Sequence, residues 1–142
     1  MTLPPAVVIH GLPHARLALG LGRPLSLLSA PGAPSYAGCG WWAALVAEAR
    51  ASVPGADVPD ILDCGTAPGR VLEALSLGCR IVVLRPCPSF AGLAERAEAQ
   101  GALLLPEPPR SLDMNDAGAA RRLPGWLGPE GSIRGDSRAP VG

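Results

Sequence analysis

Ile61-Leu62-Asp63-Cys64-Gly65-Thr66-Ala67-Pro68-Gly69-Arg70 decides how this chain reads. A short apolar run enters a turn bracketed by Gly65 and Gly69, after which Val71, Leu72 and Leu75 give a helix its apolar face. Thr66 stands where a cap is needed, and Pro68 suits the first helical turn. A strand, a glycine turn and a helix N-terminus in that order form the unit of α/β proteins. The free backbone N–H groups at such a helix start attract anions.

The same alternation extends in both directions. Upstream, Ala6 to Ile9 reads as a strand, His14 to Leu21 as a brief helix, and Leu25 to Ser29 as a second strand. The turn Ala30-Pro31-Gly32-Ala33-Pro34 follows, with Ser35 as a cap for a long helix over Tyr36 to Ser52. That helix sets Trp42, Leu45, Val46 and Ala49 on one face. Downstream, Arg80 to Leu84 has the β-branched centre of a strand. Ser89 then opens a helix through Phe90, Leu93, Ala94 and Ala97, and Ala102 to Leu105 forms a last strand closed by Pro106, Pro108 and Pro109.

Apolar runs without internal alternation suit strands covered on both faces, so the sheet is expected to be mostly parallel. The reading is a single α/β domain over residues 1–113 with a five-stranded sheet, flavodoxin-like or Rossmann-like, or else a half-barrel that pairs with a second copy. Residues 114–142 are rich in Gly, Pro and Arg and read as a mostly disordered tail.

Composition narrows the function. Twelve acidic and twelve basic residues cancel, so no broad field exists for nucleic acid or anionic lipid. No apolar run approaches the roughly 20 residues of a membrane span, and no basic leader precedes an apolar one. With four cysteines and no secretory signal, a cytoplasmic protein with reduced thiols is expected. The cysteine spacings match no zinc site, so no metal is expected. An apolar fraction of 48% in so short a chain suggests a homo-oligomer.

Ligands of parallel sheets bind beyond the carboxyl ends of the strands. Five strands ending where the runs end bring His10, Ser29, Gly32, Asp63, Cys64, Gly65, Thr66, Gly69, Arg70 and Arg85 to one face, together with Cys87 and Glu107. The turns at Gly32 and Gly65–Gly69 offer amides to an anion, and Arg70 or Arg85 a fork of donors. Asp63 accepts from hydroxyls, and His10 is the acid or base whose ordinary pKa lies nearest neutrality. A small anionic or phosphorylated ligand is the expected partner, with His10 and Asp63 as candidate catalytic groups.

Residues 61–69 resemble motif I of S-adenosylmethionine-dependent methyltransferases, in the Asp-x-Gly-x-x-Pro-Gly form of RNA ribose methyltransferases. The resemblance implies that Asp63, Gly65 and Gly69 hold the amino-acid end of S-adenosylmethionine. The whole chain also resembles short uncharacterised bacterial α/β proteins with a Leu-Ser-Ala-Pro-Gly-Ala turn, here Leu28 to Ala33, and a Leu-Asp-Cys-Gly turn, here Leu62 to Gly65. That likeness brings no activity with it. Ligand binding, a methyltransferase-like activity and a structural assembly role are thus the three functional expectations.

Overall fold

A computed structural model describes residues 2–128. Strands β1 (Ala6–Val8), β2 (Ser26–Leu28), β3 (Asp60–Asp63), β4 (Ile81–Val83), β5 (Leu103–Leu105) and β6 (Ser111–Asp113) form one sheet in the order β5-β4-β3-β2-β1-β6. Every pairing is parallel. Between and after them run α1 (Leu12–Leu19), the short α2 (Pro34–Ala37), α3 (Cys39–Ser52), α4 (Pro68–Ser76), α5 (Phe90–Ala99) and α6 (Ala119–Leu127).

The expected α/β class with a parallel sheet is present, but the sheet has six strands rather than five. Its path also differs from the flavodoxin and Rossmann patterns, in which the chain reverses direction part-way through the sheet. Here the chain steps steadily from β1 to β5 and only then returns to place β6 outside β1. Right-handed crossovers in one direction put all their helices on one face. The main core accordingly joins residues of α1, α3, α4, α5 and α6 to Val7, Leu27, Leu62, Val82, Leu104 and Leu112.

The alternate strand residues form a second, smaller core with no helix of the described residues packed on it: Ala6, Val8, Leu28, Ile61, Ile81 and Val83, backed by Leu3, Ala30 and Leu105. What encloses it follows from chain length. The link from Leu105 to Ser111 has five residues, Pro106-Glu107-Pro108-Pro109-Arg110, and must return from one edge of the sheet to the other. Six Cα steps reach at most about 20 Å. Five strand spacings in a flat sheet would need about 24 Å. The sheet therefore curls around this second core.

The sixth strand ends the 1–113 stretch, and the last helix follows it. Leu112 is the one buried side chain of β6, too little to mark a strand in the sequence. Helix α6 lies inside the stretch read as tail and carries Pro124-Gly125, the two worst helix formers. Tertiary contacts hold it in place. Ala119, Leu123 and Leu127 are buried, and Trp126 Nε1 donates to the Ala6 carbonyl at 2.9 Å. Arg23 Nη1 donates to the carbonyls of Pro124 (2.9 Å) and Gly128 (2.8 Å), capping the end of the helix. The rest of the expected tail, residues 129–142 with Ile133 and Val141, lies outside the described residues.

Candidate functional site

The carboxyl ends of the strands carry polar groups on the helix-free face. Successive strand residues point to opposite faces, so Asp63, two beyond Ile61, Arg85, two beyond Val83, and His10, two beyond Val8, share that face. Asp113 joins them from β6, because β6 pairs with β1 in the register Val8↔Asp113. Across the curled sheet the order is Arg85, Asp63, His10, Asp113.

The first cluster is built on the quoted turn. Asp63 is fully buried. Its backbone N–H donates to Ser29 Oγ at 2.9 Å, and Ser29 Oγ donates onward to the Ala30 carbonyl at 3.2 Å. Oδ1 of Asp63 accepts from the Gly65 N–H at 2.8 Å and, loosely, from Arg85 Nη1 at 3.4 Å. Oδ2 is buried and has no hydrogen-bond partner among the described residues. A buried carboxylate oxygen left unpaired is costly, of the order of 1–3 kcal/mol or more. The Arg85 side chain is 34% exposed, and this contact uses one of its five donors.

The other residues of that cluster are engaged in holding it together. An added Cβ at Gly65 would lie 3.2 Å from Gly32 Cα, and both glycines have positive φ. The Gly32 N–H donates to the Asp63 carbonyl at 3.1 Å, and the Arg85 N–H to that of Gly65 at 2.8 Å, so the two turns are stitched to each other and to β4. Thr66 does not cap α4: Ala67 holds the N-cap position, without a side-chain bond. Gly69 is exposed with open space around it. Arg70 turns away to Glu73, Nη1 to Oε1 at 2.7 Å. Ser89 and Ser35 likewise make no capping bond; Ser89 holds its N-cap position, whereas Ser35 lies inside α2.

The Gly32 turn lies against Gly65 on the side a Cβ would occupy, and Arg85 follows the end of β4. Cys64, within the same turn, is fully buried. Burial, with smaller contributions from Cys39 and Asp63, pushes the Cys64 thiol up to about 12. Burial raises Cys39 and Cys79 to about 11.

The second cluster was only half visible in the sequence. His10 Nε2 and Asp113 Oδ1 lie 2.6 Å apart. Asp113 Oδ1 also accepts from the Asn115 N–H at 2.8 Å, an Asx turn that fixes the carboxylate. The His10 backbone N–H donates to His14 Nδ1 at 3.0 Å, and the two rings meet edge-on with centroids 5.6 Å apart. His10, Gly11, Pro13 and His14 line a cleft of about 220 Å³. Burial first, and His10 second, hold the His14 imidazole below its usual pKa, against the pull of Asp113. Burial alone would raise the Asp113 carboxyl, but the Asn115 N–H and the His10 ring outweigh it and hold the group below its ordinary value.

Asp113 could not be found from its sequence, because 103 positions separate it from His10 and its strand is three residues long. The spacing of His10 and His14 was visible, and His10 follows β1, two residues past Val8, while His14 sits in the first turn of α1, so the pair shares no helical face. Among the described residues no three His, Cys, Asp or Glu side chains are grouped to hold a metal ion. No helix of the described residues is long and apolar enough to cross a membrane. A scan against protein-family models finds no match to this chain, and a search of curated proteins finds none either. The chemistry of the two clusters therefore carries the functional argument.

Proposed function

We propose that this chain binds a small anionic, hydroxyl-bearing ligand at the carboxyl edge of its curled sheet. The anion rests on Arg85, and a hydroxyl donates to Asp63. The observation that carries this reading is the under-used pair itself: a buried carboxylate with Oδ2 unpartnered, beside a half-exposed guanidinium held by one long contact. Each partner lacks what such a ligand brings. Asp63 needs a donor, and Arg85 needs a charged acceptor to make a charge-assisted bond. The one-sided helix layer and the curled sheet favour the half-barrel reading, with the ligand at its mouth.

Titrating the ¹⁵N-labelled chain with glycerol 3-phosphate and, in parallel, with methyl phosphate tests this. Both are expected to shift the Arg85 and Gly65 amides, with glycerol 3-phosphate the tighter. Arg85→Ala removes both responses, while Asp63→Asn removes only the preference for glycerol 3-phosphate. Shifts that survive Arg85→Ala, or no response at millimolar ligand, sink the reading. One observation favours a homo-oligomer alongside it: Tyr36 is 73% exposed and Trp41 36%, on consecutive helices. Light scattering on wild type and on Tyr36→Ser/Trp41→Ser decides that point.

A further inference from the structure

We infer that His10 and His14 form a base and a neutral hydrogen-bond donor that together enolise small α-hydroxy carbonyl compounds at the junction of β1 and β6. The inference rests on the geometry of this junction and not on the Asp63–Arg85 pair. At that junction β6 pairs with β1 in the register Val8↔Asp113. Just beyond the end of β1, His10, Gly11, Pro13 and His14 line the 220 Å³ cleft, and Asp113 reaches His10 from β6.

The hydrogen bonds assign the tautomers. Asp113 Oδ1 faces His10 Nε2, so the proton of a neutral His10 sits on Nε2 and leaves the lone pair on Nδ1. The His10 backbone N–H points at His14 Nδ1, which must therefore be unprotonated, leaving the proton of neutral His14 on Nε2. One ring thus offers a base and the other a donor, with 5.6 Å between centroids. This division of labour resembles other sites in which environment keeps one imidazole neutral so that it polarises a carbonyl. Asp113 acts as a positioning residue, holding His10 in the productive tautomer.

The step balances without a cofactor. His10 Nδ1 takes the proton from the carbon beside the carbonyl. The C–H pair becomes the C=C bond of an enediolate, and the carbonyl π pair moves onto oxygen, which accepts from His14 Nε2–H. Returning the proton to the same carbon regenerates the substrate. Returning it to the former carbonyl carbon, with the hydroxyl proton passing to the other oxygen, interconverts aldose and ketose. The small cleft favours substrates of a few carbons.

Deuterium uptake from D₂O into dihydroxyacetone and dihydroxyacetone phosphate, followed by ¹H NMR with the full chain, provides the test. Wild type is expected to exceed buffer by roughly 10²–10⁴-fold. His10→Ala falls to the buffer rate, and His14→Ala lowers the rate with Asp113 and His10 in place. Asp113→Asn lowers kcat rather than raising KM. Ring ¹⁵N shifts give a readout independent of turnover: His10 is expected as the Nε2–H tautomer, and Asp113→Asn redistributes it. A His10 Nδ1–H tautomer in wild type overturns the inference. So does uptake at the buffer rate with both compounds, or uptake unchanged by His10→Ala. Uptake by uncharged dihydroxyacetone is read separately from the phosphate titration of Arg85, so the two readings fail independently.

Discussion

Gly65 and Gly69 bracket the same turn, yet the structure predicts opposite responses to alanine. Gly65 has φ +60°, and its added Cβ would meet Gly32 Cα at 3.2 Å. A left-handed backbone costs a residue with a Cβ about 1–2 kcal/mol. The neighbour is backbone, tied to the Asp63 carbonyl, so relieving the contact strains the stitched turns and adds about 1 kcal/mol. Gly65→Ala should therefore lose about 2–3 kcal/mol in urea unfolding followed by circular dichroism, with the slope unchanged. Gly69 is exposed, helical and open on its Cβ side. There alanine should be neutral or stabilise by up to about 1 kcal/mol. Equal losses at the two positions, or a tolerated Gly65→Ala, would refute the close approach of the two turns.

Two further outcomes follow from the packing and the titrating groups. Arg23→Ala removes both bonds that cap α6, so hydrogen exchange over Ala119–Leu127 should accelerate while β1–β4 amides keep their protection. Uniform acceleration across the sheet would show instead that α6 is part of one cooperative unit. The acid limb of stability should carry two components. His14 is held below its usual pKa, so the folded state binds fewer protons, and stability falls as pH drops from about 6.5 toward the folded value. Asp113 is likewise depressed, so its contribution is complete above about 3.9 and is lost as pH falls below that through the folded value. Urea midpoints at a series of pH values should lose the first component in His14→Ala and the second in Asp113→Asn.

By itself the sequence determined the elements that local pattern can encode. Ile61–Leu62 and Ile81–Leu84 are apolar runs with β-branched members, and Trp42, Leu45, Val46 and Ala49 share a helical face; all lie where they were read. Asp63 at the end of β3, and Arg85 and His10 just past β4 and β1, lie at the carboxyl ends of their strands, because the strand ends follow from the same runs. The turn residues were a different matter. Thr66 and Arg70 carry the right chemistry for a ligand, but a cap depends on which residue starts the helix, and Glu73 one turn on takes the guanidinium.

Only the tertiary structure decided β6, α6 and the His10–Asp113 pair. A three-residue strand with one buried side chain has no period to detect, and a helix containing Pro124-Gly125 contradicts its own propensity. Both exist because distant groups complete them: β1 lends its edge, Arg23 the cap, and Ala6 the carbonyl for Trp126. The return of the chain to the β1 edge is equally non-local. Pairing of β6 with β1 sets Asp113 beside His10, a contact between residues 103 positions apart that no local pattern records.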